Sequence, residues 1–402
     1  MLFKSRRAQR RALLAVTLCA GAVGVVPAAA EATGSSNLAL PKVMTRNLYL
    51  GADLNPAIAA IRQCQGDPTA VPPVPPLPAA QCQGLLLATN QGIWNQVVAT
   101  NFPARAKKLA KEIDDDDPYV VALQEVALWR HGSVDGQKNA CADQNPSCVD
   151  YDFLKTLLAE LSARGTKYKA IVTQQEADIE SPSGTPPTFA DATDRRLTMR
   201  DVILVRTDLP KALVSFSNPQ SGNYANFITL PTGTSYGNIE FKRGWASIDI
   251  KLLGHPVARF VDTHLESAAT GVRFQQASEL VGPTGPVANP AFPAIIAGDL
   301  NSDPSIPFGG DFTSGASDAL AISAIAGAGF IDSGNRTNTF GHNANVNEFP
   351  SNEFSERIDH VMFRPGGFVP YLTNKVVGTD PANRTLGGLW PSDHAGLIVG
   401  IG

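Results

Sequence analysis

Beyond its first thirty residues, the sequence has no apolar run long enough to cross a membrane, no internal repeat and no dense basic run. The first absence argues against a chain threaded through a bilayer by helices. The second argues against a solenoid. The third removes the broad cationic footprint expected of a protein that coats nucleic acid or anionic membrane. Cysteine is scarce, five in 402 residues, and no C-x-x-C pair or paired histidines accompany it, so a zinc-organised module has no ligand set. Histidine is nearly as scarce, with six in all, so each one merits scrutiny.

The start of the chain is set apart. Lys4, Arg6, Arg7, Arg10 and Arg11 precede an apolar stretch from Ala12 to Val26, and Ala28-Ala29-Ala30 follows as a small-residue cleavage site. This layout predicts a secretory signal peptide over 1–30 and export to an extracellular or periplasmic space, with no transmembrane anchor after cleavage; a retained anchor is the alternative. Without those five basic residues, 28 remain against 37 acidic ones, a net charge of −9. Cys64, Cys82, Cys141 and Cys148 remain as well. An even count in an exported chain suggests disulfides, with sequence neighbours as the simplest of three pairings. Residues 37–402 are expected to form a single catalytic domain with a proline-rich inserted loop at about 55–100.

Pattern places the elements. Lys42 to Thr45 reads as a short strand ending at Arg46 and Asn47. Pro103 starts a helix whose apolar face is Ala106, Leu109, Ala110 and Ile113. Asp114 to Asp117 reads as a solvated turn. Tyr119 to Leu123 is a strand closed by Gln124 and Glu125, and Leu154, Leu157, Leu158 and Leu161 mark a second amphipathic helix. Tyr168 to Thr173 reads as a strand, 176–196 as a loop, Asp201 to Arg206 as a strand, and 217–238 as a long excursion. Ala246 to Leu252 and Val257 to Asp262 read as a hairpin. Short helices are expected at Gln276 to Leu280 and Ala316 to Ala326, and strands at Ile358 to Phe363 and Gly396 to Ile401. Strands in adjacent groups separated by helices favour an α/β sandwich of two mixed, mostly antiparallel sheets flanked by helices.

The chemistry gathers at strand ends. In 295–304 an apolar strand stops at Gly298, and Asp299, Asn301, Asp303 and Pro304 follow. Asn47, Glu125 and His264 also follow apolar runs, while Asp359 opens a strand and Asp393-His394 precedes another. If the last strands run opposite to the others, these residues meet at one edge. Glu125, Asp299, Asp359 and Asp393 would then share one cleft, where like charges disfavour joint ionisation. A bound cation relieves this, and hard oxygen ligands suit Mg²⁺, with Mn²⁺ or Ca²⁺ as substitutes. Asp303 is assigned to the turn. His131, His255 and His342 are assigned to loops and turns, and His360 to the opposite sheet face.

Arg46-Asn47, Leu123-Gln124-Glu125, Thr263-His264-Leu265, Gly298-Asp299-Leu300-Asn301, Arg357-Ile358-Asp359-His360 and Ser392-Asp393-His394 occur in one order along nearly the whole mature chain. The set resembles the endonuclease/exonuclease/phosphatase superfamily, with its DNase I-like four-layer fold. The resemblance implies metal ligands at Asn47, Glu125 and Asp393. It implies water- and phosphate-orienting roles for Asp299 and Asn301, a His394 held by Asp359 beside the phosphate, a His264 on the phosphate's other side, and a phosphate contact at Arg243. It implies metal-assisted attack of water on a phosphoester, a nucleic acid or a phospholipid head group being the candidate substrates, with no stable protein partner. Whether a histidine or Asp299 is the general base stays open. A monoester phosphatase and a non-catalytic module that has kept the fold are the alternatives. A nuclease needs a cationic groove, for which Lys211, Lys242, Arg243 and Arg273 are candidates. A lipid enzyme needs an exposed apolar loop, for which Tyr224, Phe227, Ile228, Leu230 and Tyr236 are candidates.

Overall fold

A computed structural model describes residues 41–186, 190–349, 354–366 and 372–402. The expected signal peptide lies outside them. The chain runs through β1 (Lys42–Asn47), α1 (Asn55–Gln65), α2 (Ala79–Ala99), α3 (Phe102–Asp116), β2 (Val120–Gln124), β3 (Leu128–Gly132), β4 (Val149–Asp152) and α4 (Phe153–Ala163). There follow β5 (Tyr168–Ser183), β6 (Thr193–Arg206), β7 (Val214–Asn223), β8 (Ile228–Leu230), β9 (Ile239–Phe241), β10 (Gly244–Leu252), β11 (His255–His264) and α5 (Thr270–Val281). The chain closes with β12 (Ala294–Asp299), α6 (Leu320–Gly327), β13 (Ile331–Asp332), β14 (Asp359–Arg364), β15 (Leu372–Val377) and β16 (Gly396–Ile401).

These strands build an eight-stranded sheet, β15-β16-β1-β2-β6-β3-β4 with β5 on β6, and a six-stranded sheet, β13-β14-β12-β11-β10-β7. Each is mixed and mostly antiparallel. The parallel pairings are β1 with β2 and β11 with β12. Alternation along each strand makes the four layers. Val43, Val120 and Ala122 of the first sheet pack against Ile248, Phe260, Ile295 and Val361 of the second. Their neighbours Met44, Val121 and Leu123 face Leu109 and Ile113 of α3 and Leu157 and Leu161 of α4. On the far side, Val261, Ile296 and Met362 meet Leu280 of α5 and Ile322 and Ile325 of α6. A two-sheet, helix-flanked sandwich is therefore what the strand pattern predicts and what the chain forms.

Local differences have physical causes. The proline-rich segment is largely helical: α1 and α2 flank a short turn region and are tied by Cys64–Cys82, and Cys141–Cys148 forms the second disulfide. Polar glutamines break the apolar pattern of α2, so its period is weak in sequence. The polar stretch 176–196 is not a loop throughout, because β5 and β6 form one long hairpin that runs well past it on both sides. Its outer half is pinned by side-chain pairing of Arg196 with Asp178 (2.7 Å). The acid run at 114–117 is not solvated as a whole. Helix α3 continues to Asp116, which is buried and paired with Lys42 (3.1 Å) and Lys375 (2.6 Å). Among the described residues, no helix is long and apolar enough to cross a membrane.

The direction of the strands gathers their polar ends. β1, β2, β11 and β12 finish at one edge, and β14 and β16, antiparallel to their neighbours, begin there. His264, Asp299 and Asp359 lie abreast in register, as do Asn47 and Gln124. Gly298 makes the β11–β12 pairing possible: a Cβ there would stand 1.9 Å from the Thr263 carbonyl oxygen. Gly298→Ala is expected to lower stability to urea unfolding by about 3 kcal/mol, the upper range for overpacking a closed core. A change within about 0.5 kcal/mol of wild type, the range of an indifferent surface substitution, would contradict this account of the register.

Candidate active site

Three of the strands that enter the site end in a backbone reversal. Tyr49 (φ 56°), Glu125 (φ 56°) and Asn301 (φ 47°) all occupy the left-handed region just after β1, β2 and β12. Non-glycine residues adopt it at a cost of order 1 kcal/mol each, and such strain concentrates at functional sites. Hydrogen bonds hold the three turns. Tyr49 N donates to Asn47 Oδ1 (2.8 Å), Leu50 N donates to Glu125 Oε2 (2.7 Å), and Asn301 N donates to Asp299 Oδ1 (2.9 Å).

Asp299 Oδ2 is the meeting point. Asn47 Nδ2 donates to it from the first sheet (3.1 Å), His264 Nε2 lies 3.5 Å away, and His394 Nε2 lies 3.7 Å away. Asp359 binds His394 Nδ1 through Oδ2 (2.8 Å), and its other oxygen is buried without a hydrogen-bond partner among the described residues. Asp393 Oδ1 is 3.9 Å from His394 Nε2. Asn301 Nδ2 donates to the Leu265 carbonyl (2.9 Å), joining the ends of β11 and β12. Arg243 Nη1 contacts His264 Nδ1 at 3.0 Å. The structure thus brings Asn47, His264, Asp299, Asn301, Asp359, Asp393, His394 and Arg243 into one connected group. Glu125 joins it through the turn at Leu50.

The two histidines are held in opposite states. Arginine has no acceptor, so His264 Nδ1 must accept from Arg243 and the ring proton belongs on Nε2. Burial, then Arg243 and His394, push the His264 pKa well below its ordinary value, which keeps the ring neutral. Burial alone would also lower His394, but Asp359, Asp393 and Asp299 outweigh it and lift the pKa to about 10. Burial raises Asp299 to about 7, with Asp359 and Glu125 adding to the rise while His394 and Asn301 N oppose it. Asp393 is raised to about 6 by burial and Glu125, against His394 and Arg105. A cation placed among these groups would relieve the burden. Among the described residues, ligand atoms of Asp299, Asp359 and His394 lie within 4.8 Å of one another, and carboxylate oxygens are hard donors of the kind a divalent cation takes.

Several supporting residues escape sequence reasoning. Arg105, fully buried on α3, donates to the carbonyls of Leu48 (2.7 Å), Tyr49 (3.0 Å) and Pro391 (2.8 Å), fixing two site loops at once. Arg46 pairs with Glu112 (3.0 Å) and also donates to the His394 carbonyl. Glu176 and Asp201 bring their ligand atoms within 4.8 Å of each other and of His264, and Arg243 reaches Glu176 (3.5 Å) and Glu266 (3.9 Å). The visible signal was Asp201 at the head of an apolar run; Glu176 sat in a stretch too polar to stand out. His342, assigned to a loop, is buried and stacks on Trp390 with 4.4 Å between ring centroids, and its backbone N donates to the Asp393 carbonyl (3.3 Å). His360 does face away, toward Asp332 (3.1 Å). Asp303 accepts from Arg357 N (2.8 Å) and Ser305, as a turn-shaping residue should.

Two sheets that deliver carboxylates, amides and two histidines to one edge define a hydrolase of phosphoesters that works with a divalent metal. The family model described as the Endonuclease/Exonuclease/phosphatase family matches residues 91–394, and the chain belongs to that family, whose members are metal-dependent phosphoester hydrolases. Asn47 lies ahead of the matched stretch and reaches the site by folding. No curated protein matches the chain. Similar solved structures include a mannosyl-6-phosphatase from Bacteroides thetaiotaomicron (16% identity, 90% of this chain and 99% of that one, TM-score 0.47). Others are a family protein from Leptotrichia buccalis (14%, 90% and 99%, 0.47) and truncated TDP2 from Caenorhabditis elegans (15%, 75% and 90%, 0.42).

The raised His394 pKa has a sign that can be checked. Its folded value of about 10 exceeds the unfolded one, so its contribution to stability is complete below about pH 6.5 and is lost as pH rises through about 10. In metal-free protein, the His394 ring should titrate near the upper end of that window by NMR. Asp359→Asn should lower the midpoint by at least about one unit. A wild-type midpoint near 6.5 would contradict the assigned pairing.

Proposed function

We propose that the chain is a secreted, Mg²⁺-dependent phosphodiesterase, with residues 37–402 as one catalytic domain behind a cleaved signal peptide. The observation that carries the reading is the convergence of Asn47, His264 and His394 on one oxygen of Asp299. Export is supported by the two disulfides, which persist in oxidising compartments. Asn47, Glu125 and Asp393 would hold the ion; Mn²⁺ and Ca²⁺ share the same ligand preference. When bound, the metal offsets charge on the phosphoryl and leaving oxygens.

The protein groups divide the remaining work. Asp299, with its pKa near neutrality, takes the proton of the attacking water while Asn47 and Asn301 fix its orientation. His394, charged and anchored by Asp359, donates from Nε2 to the phosphate or the departing oxygen. Neutral His264, locked at Nδ1 by Arg243, presents its Nε2–H from the other side and brings the guanidinium charge up behind it. Groups whose surroundings push their pKa values apart in this way are suited to separate acid and base roles.

Nucleic acid fits the surface poorly. Of the four basic residues that might have formed a groove, Arg243 and Arg273 are buried and Lys242 pairs with Glu240 (2.6 Å). Arg273 donates to the Asn301 carbonyl from beneath the site.

Purified mature protein with Mg²⁺ should hydrolyse bis(p-nitrophenyl) phosphate and lose that activity in EDTA. His394→Ala should reduce kcat by about 10²- to 10⁴-fold, the usual range for removing a general acid or base. Activity that survives EDTA, or is unchanged in the variant, would refute the reading.

A further inference from the structure

An apolar cavity lies between the α1–α2 pair and the β8–β9 excursion. It measures about 680 Å³, within the ordinary range of small-molecule pockets. One wall is α1 and α2, with Ile58 and Leu86 lining it and the Cys64–Cys82 bridge fastening the helices together. The floor carries Trp94 and Trp129, tilted against each other at 6.0 Å. The opposite wall is the excursion between β7 and β10, where Ile239 and Phe241 of β9 line the cavity.

Of the candidates for an exposed apolar loop, three turn inward or pack against a neighbour. Tyr224 is buried and bonded to Thr263 (2.8 Å), and Phe227 lies under Lys242. Tyr236 lines the cavity but turns its hydroxyl to Asp194 (2.7 Å). Tyr236, Ile239 and Phe241 of the excursion thus line the cavity.

The chemistry of the lining selects its occupant. Asn90 donates to the Pro182 carbonyl (2.9 Å). Arg195 lies 3.9 Å over the Trp94 ring and pairs with Asp150 (3.1 Å), and Lys138 donates to the Asp178 carbonyl (3.2 Å). Apart from Arg195 Nε, which is buried without a hydrogen-bond partner among the described residues, these polar groups are engaged with protein partners and offer a ligand little reason to bring charge. The recognition left is apolar contact with aliphatic and indole surface, which suits hydrocarbon. One residue joins the chamber to the chemistry: Trp129 Nε1 donates to the Leu50 carbonyl (2.9 Å), and Leu50 N donates to Glu125 Oε2 (2.7 Å).

We infer that this cavity takes the hydrocarbon chain of an amphiphilic phosphodiester, one carrying a long acyl or alkyl group, while its phosphate sits at the Asp299 cluster. The inference rests on the phosphodiesterase reading and names its substrate class. The insertion and the β8–β9 excursion are then the two jaws that hold the chain, and an ester without such a chain is held at the phosphate alone.

The test uses the mature protein and monomeric lysophosphatidylcholines with chains of eight to fourteen carbons. Binding is read in EDTA by tryptophan fluorescence, and turnover is read with Mg²⁺. Affinity should rise about fourfold per methylene, the transfer free energy of one buried CH₂ expressed as a ratio, until the cavity fills. Fatty acids of the same lengths should bind at least about tenfold more weakly, because they lack the phosphate. Leu86→Arg on α2 and Ile239→Arg on β9, each checked for an unchanged melting temperature, should flatten the chain-length dependence. They should also lower the ratio of turnover on the dodecanoyl substrate to that on bis(p-nitrophenyl) phosphate by at least about tenfold. Hydrolysis of bis(p-nitrophenyl) phosphate with no chain-length dependence would overturn the cavity assignment alone. So would variants that retain the dependence, or fatty acids that bind as tightly as the lysophospholipids. Chain-length-dependent binding with no turnover of any phosphodiester would overturn the substrate assignment and the phosphodiesterase reading together.

Discussion

A single carboxylate oxygen, Oδ2 of Asp299, is where the two sheets meet. Asn47 reaches it from the first sheet, and His264 lies beside it in the second. His394, from the loop leading into the last strand of the first sheet, completes the approach. That convergence requires β11 and β12 to lie parallel in close register and β14 to run back against them. It also requires a glycine at 298, because no other residue lets the β12 backbone approach Thr263. The inner core of Val120, Phe260, Ile295 and Val361 maintains that geometry from below.

Burying so many acids together would be prohibitive without compensation, and the compensation is uneven. Asp359 and its neighbours hold a proton on His394, while burial and then Arg243 deny one to His264. Arg105 and Arg46 neutralise part of the remaining charge from behind and use backbone carbonyls to fix the loops on which the site stands. Asp299 and Asp393 are among the carboxyls left with raised pKa, as are Glu176 and Asp201 beside His264, and together they mark where positive charge is still short. This is the physical reason for a divalent cation here, in agreement with the family's dependence on one.

Much of this was legible in the sequence, for an identifiable reason. Strands buried on both faces are short apolar runs, and a polar residue at the end of such a run must either meet water or meet a partner. Asn47, Glu125, His264 and Asp299 announced themselves in that way, and the motif order supplied Asp359 and Asp393-His394. Elements whose stability comes from specific polar pairing left no such trace. Residues 176–196 of the β5–β6 hairpin, whose outer half is pinned by Arg196–Asp178 pairing, read as a loop although its 168–173 and 201–206 segments read as strands; the hairpin carries Glu176 into the site region. Helices α1 and α2 depend on a disulfide and on contacts distant in sequence, so proline content alone misplaced them. Arg105 looked like one more cation on an amphipathic helix, and only folding shows it fully buried beneath the site.

The central claim is that water, activated at Asp299, attacks phosphorus. Hydrolysis of bis(p-nitrophenyl) phosphate in ¹⁸O-enriched water with Mg²⁺, followed by mass spectrometry of both products, tests it most directly. The account predicts one ¹⁸O atom in the p-nitrophenyl phosphate and none in the p-nitrophenol. Label in the phenol, or a product phosphate without it, would contradict the account.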